Sequence, residues 1–133
     1  MRTYMKRNES MPRVKLVMFR ESDGSVPLLD WFDTLQPKPL DKCRVWLRRL
    51  RDHGHELRRP TADYLRDGIY ELRVGLQGVN YRILYFYQGS DLVVACHGLV
   101  KERAVPPKEI DKAVVRMNQF GRSPEKHTQE FEV

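Results

Sequence analysis

A short part of the chain carries five side chains that could act on a phosphodiester bond. They are Arg73, Arg82, His97, Lys101 and Arg103. Cleavage of RNA without a metal ion needs a base for the 2′-hydroxyl, an acid for the leaving 5′ oxygen and cations for the charged phosphorane. Arginine suits the last role because its planar guanidinium binds two phosphate oxygens at once. These residue types therefore fit metal-independent RNA cleavage.

Each of these side chains also has an ordinary structural interpretation. Arg73 could pair with Glu71, which composition alone favours over catalysis. A hydrogen-bonded structural histidine is as well supported at position 97 as a catalytic one. Tyrosines such as Tyr81 more often pack in a sheet than stack on unpaired bases. The residues alone thus leave RNA cleavage, RNA binding and a purely structural role open.

The elements that must position these side chains are predicted to be strands. Apolar and polar residues alternate from Gly68 onwards, and a hairpin loop follows over Gly75–Asn80. Asn80–Tyr87 is dense in aromatic and β-branched residues, and Leu92–Leu99 is apolar along much of its length. Three consecutive strands with short connections favour an antiparallel meander, with the last strand central in the sheet.

The flanking segments predict one more strand and three helices. Val14–Phe19 reads as a first strand, and Pro27–Leu35 has apolar residues at helical spacing. A second helix follows with an apolar stripe and ends at Gly54, where a glycine is expected after a helix. Its outer face is basic and includes Arg48 and Arg49. A last helix runs from Pro106–Pro107 to Gly121.

This order of elements predicts an α+β domain. We expect an antiparallel sheet with two N-terminal helices and a C-terminal helix packed on one of its faces. The domain is expected to span residues 14–120. Residues 1–13 are expected to form a flexible N-terminal extension, and residues 121–133 a polar, frayed C-terminal tail.

Composition excludes several classes of protein. The chain has 133 residues and a net charge of +6, which suits a polyanionic partner such as RNA, DNA or an acidic protein. No apolar run reaches the roughly 18 residues of a membrane span, and the N-terminus lacks a secretory signal. Cys43 and Cys96 have no metal-binding spacing, and His53 and His55 lack partners for zinc. We therefore expect a cytoplasmic protein with buried thiols, no metal and no membrane partner.

Four motifs, in order along the chain, resemble those of one toxin family. They are Leu65–Arg73 (LRDGIYELR), Tyr81–Tyr85 (YRILY), His97–Lys101 (HGLVK), and the helix positions Pro106, Glu109, Ile110 and Ala113. Together they resemble the phage-derived, HigB-like branch of the RelE toxin superfamily. The resemblance extends from about Val14 to Phe120.

The resemblance implies a RelE-type α+β fold and the toxin of a type II toxin–antitoxin system. It implies ribosome-dependent cleavage of mRNA without a cofactor, and a cognate helix-turn-helix antitoxin that neutralises the toxin. By this resemblance Arg73 and Arg82 match basic residues of two successive strands, and Lys101 matches the lysine after the last strand. We assign Arg82 to the scissile phosphate, with Arg73 and Lys101 beside it and His97 as a candidate for proton transfer. Further RNA contacts are assigned to Arg48, Arg49, Tyr81 and Arg103.

Two departures from the family pattern leave catalytic competence open. Leu99 stands where an aromatic residue is usual, and Glu102 replaces a second lysine, although Arg103 follows it. The alternatives are a relative that binds RNA or an antitoxin without cleaving RNA, and a phage accessory protein.

Overall fold

Six strands form one mixed sheet in the computed structural model, which describes residues 14–131. The strands are β1 (Lys15–Phe19), β2 (Ala62–Arg66), β3 (Ile69–Leu76), β4 (Val79–Gln88), β5 (Leu92–Val100) and β6 (Thr128–Glu130). Their order across the sheet is β2-β3-β4-β5-β1-β6. The predicted meander is confirmed as β3, β4 and β5, with β5 inside the sheet. The sheet is not wholly antiparallel, because β1 runs parallel to β5.

Three helices complete the α+β fold that the sequence predicted. They are α1 (Pro27–Phe32), α2 (Pro37–His53) and α3 (Pro107–Arg122), with short 3-10 turns at Gly54–Glu56 and Pro124–Lys126. Each α-helix has a proline in its first turn, where the missing N–H removes no intrahelical hydrogen bond. The helix α2 ends at Gly54, as expected.

The helices cover both faces of the sheet, so the expectation that all of them share one face is wrong. Ile83 and Tyr85 of β4 pack with α1 and α2. Leu84 and Phe86 of the same strand pack with α3, and the ring of Phe86 lies edge-on to that of Phe120 at 5.9 Å. Because alternate residues of a strand point to opposite faces, a strand that is apolar at every position needs a layer on each side.

Two tight hairpin turns explain where the strands begin and end. Asp67 and Gly68 join β2 to β3 with φ angles of 54° and 88°, and Gln77 and Gly78 join β3 to β4 with 52° and 81°. Positive φ at both central residues is the backbone of a two-residue hairpin. The Asp67–Gly68 pair was the sequence signal for β2, a strand absent from our prediction.

The C-terminal segment is folded, so the predicted frayed tail is wrong. The strand β6 pairs antiparallel with β1, with Thr128 opposite Phe19 and Glu130 opposite Val17. The buried ring of His127 stacks on Phe19 with 5.1 Å between centroids, and its Nδ1 donates to the carbonyl of Arg20 at 2.7 Å. Residues 1–13, the predicted extension, lie outside the described residues.

Both cysteines are buried and unpaired, as expected. Burial raises the pKa of each thiol, Cys43 and Cys96, to about 12. Within residues 14–131, none of the helices combines the length and the apolar character that a membrane crossing requires.

Gly98 of β5 packs directly against Trp31 of α1. A Cβ at this position would lie 2.1 Å from Trp31 Cε3, far inside van der Waals contact.

We expect Gly98→Ala to lower the free energy of unfolding by about 2 kcal/mol or more, because the indole of Trp31 must move. Urea denaturation measures this change. Gly121→Ala is the matched control, since a Cβ there meets no atom within 4 Å. Equal stability of the two variants would contradict this packing.

Candidate functional site

An open groove of about 560 Å³ lies on the α3 face of the sheet, at the end where β2, β3 and β4 meet the loop after β5. Its ionisable lining consists of Asp63, Arg66, Glu71, Arg73, Arg82, Glu102 and Arg103. Four of these side chains are arginines and three are acids. The groove therefore brings together three of the basic residues that the sequence singled out, Arg73, Arg82 and Arg103.

A buried ion pair forms the floor of this groove. Arg82 Nη1 donates to Glu71 Oε1 at 2.7 Å, and the two side chains are only 4% and 3% exposed. Arg82 lies on β4, two residues before Leu84, and both side chains therefore point to the α3 face. Glu71 lies on β3 directly opposite Leu84, so its side chain points to the same face. Because both side chains are buried away from water, each charge is stabilised only by the presence of the other.

Arg82 also fixes the loop that follows β5. Its Nε donates to the carbonyl of Lys101 at 2.9 Å, and its Nη2 reaches the carbonyl of Glu102 at 3.4 Å. The side chain that the resemblance assigned to the scissile phosphate thus holds the loop that carries Arg103 to the rim of the groove.

Arg73 is the more accessible of the two strand arginines. Its Nη2 donates to Glu71 Oε2 at 2.9 Å, so Glu71 accepts from two arginines, one on each carboxylate oxygen. The side chain of Arg73 is 35% exposed, and its Nε is buried without a hydrogen-bond partner within the described residues. Because a guanidinium has five N–H donors and Glu71 occupies one nitrogen, the partly exposed Arg73 side chain can also bind an anionic oxygen.

Arg103 and Lys101 are exposed, and neither side chain forms a hydrogen bond or ion pair within residues 14–131. Arg103 lines the groove. The Lys101 side chain lies outside the lining, although its backbone carbonyl binds Arg82.

His97 lies on the same face of the sheet but belongs to a different cluster. A β-bulge pairs Leu84 with His97 and Tyr85 with Ala95, which leaves Cys96 as the extra residue and turns His97 toward α3. His97 Nε2 donates to Glu109 Oε1 at 3.1 Å, and His97 Nδ1 accepts from Arg116 Nη1 at 3.0 Å. These partners assign the neutral tautomer of the imidazole.

The surroundings of His97 keep it neutral. Burial lowers its pKa to about 4, and the Arg116 charge acts in the same direction, while Glu109 opposes the shift. Arg116 itself is held by Glu21 at 2.9 Å. The cluster joins β5, α3 and the loop after β1, and therefore has a structural role in docking α3.

The other predicted RNA contacts lie on the opposite face of the sheet. Tyr81 packs beside Trp31 of α1, with 6.5 Å between ring centroids. Arg48 and Arg49 belong to α2, where the Arg49 guanidinium lies 4.4 Å from the Trp46 ring centroid. The structure does not bring these three residues together with the groove.

Sequence reasoning did not assign the charged side chains of β2, Asp63 and Arg66, to the site, although both line the groove. Arg66 binds Asp67 and Asp111 at 2.8 and 2.7 Å. The signal for both was the Asp67–Gly68 turn, which implies a strand before it. Across residues 14–131, no group of three His, Cys, Asp or Glu side chains could hold a metal ion.

Residues 30–118 match the family model described as Phage derived protein Gp49-like (DUF891). The chain belongs to the Gp49-like family. This family is associated with the toxins of toxin–antitoxin systems. The matched segment contains every residue that lines the groove, and agrees with the toxin resemblance at the level of the family. No curated protein matches the chain.

The groove floor gives a prediction on the stability of this Gp49-like protein. We expect Glu71→Gln to lower the free energy of unfolding by about 3 kcal/mol, because it leaves the buried Arg82 charge uncompensated. Thermal and urea denaturation measure the loss. The matched control is Asp111→Asn, the same chemical change at the exposed Arg66 pair, for which we expect a much smaller loss. Equal losses in both variants would show that the buried Glu71–Arg82 pair contributes no more to stability than the exposed Arg66–Asp111 pair.

His97 gives a prediction on the pH dependence of stability. Its folded pKa of about 4 lies below its ordinary value of 6.5, so its contribution to stability is complete above about pH 6.5 and is lost as the pH falls toward 4. The imidazole of His97 should titrate near pH 4 in NMR spectra. The free energy of unfolding of the wild type should fall between about pH 7 and about pH 4, and that of His97→Gln should fall less, because glutamine does not titrate. A His97 midpoint near its ordinary value would contradict the buried, neutral imidazole.

Proposed function

We propose that this protein is the toxin of a type II toxin–antitoxin system and that it cleaves RNA in the groove between β2 and the loop after β5. The observation that carries the proposal is the arrangement of Arg73 and Arg103, which line the open groove beside the buried Glu71–Arg82 pair, with 35% of the Arg73 side chain exposed. The association of the Gp49-like family with toxins supports it.

The two accessible arginines would act directly on the phosphate. Arg73 can keep its bond to Glu71 and still offer donors to a phosphate oxygen, and Arg103 is unrestrained. Cations placed where charge develops stabilise the phosphorane. Arg82 is a positioning residue in this proposal, because its donors are engaged with Glu71 and the carbonyls of the loop.

Lys101 contributes to the positive potential at the rim, which steers a polyanion toward the groove. Proton transfer is not assigned to His97, because both of its ring nitrogens are engaged away from the groove and its pKa is about 4.

The proposed substrate is mRNA, engaged on the ribosome, and the proposed inhibitor is a cognate helix-turn-helix antitoxin. The net charge of +6 suits both the RNA and an acidic segment of an antitoxin laid across the groove. Neutralisation would follow from masking Arg73 and Arg103.

RNA or antitoxin binding without cleavage is a second candidate function. The observation in its favour is that both oxygens of Glu71 are occupied by arginines and His97 points elsewhere. The groove then offers cations for a phosphate but fewer groups for proton transfer. A phage accessory protein is a third alternative, and the same experiment discriminates all three.

Induced expression in cells, with mapping of RNA 5′ ends, tests the proposal. We expect growth arrest and new 5′ ends in transcripts. The double substitution of Arg73 and Arg103 by alanine should lower the rate of cleavage by about 100-fold or more, because it removes the phosphate-binding cations. Arg122→Ala, at the exposed end of α3, is the matched control and should cleave normally.

The outcomes separate the candidates. Growth arrest without new 5′ ends, with RNA binding that depends on Arg73 and Arg103, favours binding without cleavage. Unchanged growth and unchanged transcripts from verified folded protein contradict a toxin and favour an accessory role. Full cleavage by the double variant contradicts the assignment of the groove.

A further inference from the structure

A second cleft, of about 380 Å³, opens beside the edge strand β2. Its lining combines aromatic rings with cations and one acid: His55, Arg58, Arg59, Asp63, Tyr64 and Tyr70. Asp63 also lines the groove described above, so the two clefts border the same short strand. Of these lining residues only Tyr70 belongs to one of the family motifs, and the proposed cleavage chemistry does not use this cleft.

The aromatic rings of the cleft are held in place by neighbouring groups. The ring of Tyr64 on β2 packs edge-on against the ring of Tyr70, with 5.0 Å between centroids. The Tyr64 hydroxyl accepts a hydrogen bond from the Gly68 N–H at 3.0 Å. His55 stacks on Tyr87 at 3.7 Å and 15° between planes. Despite these contacts Tyr64 remains 54% exposed. A large ring that is both fixed and exposed can stack on a ligand without losing much freedom.

Cations surround the rings. Arg58 is exposed and forms no ion pair within residues 14–131. Arg59 pairs with Asp63 at 2.9 Å, although the Arg59 side chain is 80% exposed. An exposed pair of this kind is weak, so the guanidinium can exchange its carboxylate for a phosphate. Fixed rings with adjacent arginines are what an unpaired base and its backbone require.

We propose that this cleft binds a base of single-stranded RNA, stacked on Tyr64, with its phosphate against Arg58 and Arg59. The inference rests on the proposed function, since it concerns the same RNA. The groove lies on the α3 face of the sheet, and the cleft, lined by Tyr70 and Leu57 of the cluster under α1 and α2, lies on the other face, with the edge strand β2 between them. A strand of RNA with one phosphate in the groove passes around this edge and places a nearby base in the cleft. The cleft thereby selects unpaired RNA, because a base inside a duplex is already stacked on both faces.

Fluorescence anisotropy with a labelled single-stranded RNA of about 12 nucleotides, a length within the usual range of single-strand sites, tests this inference on the full chain. We expect Tyr64→Ala to weaken binding by about 5- to 100-fold, the range set by the loss of one base–aromatic stack. Tyr64→Phe keeps the ring and should bind as the wild type does. Duplex RNA of the same sequence should bind less tightly and be insensitive to Tyr64→Ala.

Val115→Ala is the control for a change at an exposed side chain, since Val115 is 56% exposed on α3. Circular dichroism checks that the Tyr64 variants are folded. If Tyr64→Phe loses binding as Tyr64→Ala does, the hydroxyl rather than the ring matters, and the stacking site is wrong.

Failure of this inference is distinguishable from failure of the proposed function. RNA binding that falls with Arg103→Ala but not with Tyr64→Ala overturns the cleft and leaves the groove intact, and is the result expected if a peptide occupies the cleft. Absence of RNA binding by the wild type also overturns the cleft, while the mapping of 5′ ends judges cleavage independently. Tyr64-dependent binding without new 5′ ends supports the cleft and overturns cleavage.

Discussion

The ion pair between Glu71 and Arg82 is the constraint on which the candidate site depends. Two charges with 3% and 4% exposure are costly to remove from water, and each is tolerated only because the other is present. Glu71 uses its second oxygen to hold Arg73, and Arg82 uses its remaining donors to hold the carbonyls of Lys101 and Glu102. One buried pair thus orients the second arginine and anchors the loop that carries Arg103.

The sheet around this pair is largely apolar on both faces, and on the α3 face the Glu71–Arg82 pair lies beside the residues that α3 covers. Leu84 and Phe86 lie under α3, while Arg82 on the same face lies beyond it. The position of α3 is in turn held by the cluster in which His97 binds Glu109 and Arg116. The histidine that resembled a catalytic group therefore supports the wall of the groove and does not face its interior.

Much of the fold was predictable from patterns that are local in the chain. Alternation and turn residues predicted β3, β4 and β5, and helical spacing with prolines predicted all three helices. The edge strands were not predicted. Asp67–Gly68 encodes the turn before β3, so β2 was accessible to sequence reasoning. The strand β6 is three residues long and polar, and exists because β1 offers it a partner. Nothing local in Thr128–Glu130 carries that information.

The sequence by itself determined the α+β class, the meander and the resemblance to toxins of toxin–antitoxin systems, because periodicity, turn chemistry and short motifs are properties of neighbouring residues. It also identified Arg73, Arg82 and Arg103 as a group. Only the tertiary structure decided which of them is accessible. Alternation places Arg82 on a face, but burial depends on where α3 ends and on the distant carboxylate of Glu71, and accessibility is therefore a property of the packed chain. The same packing separates Tyr81, Arg48 and Arg49 from the groove, and brings Tyr64 and His55 to one cleft.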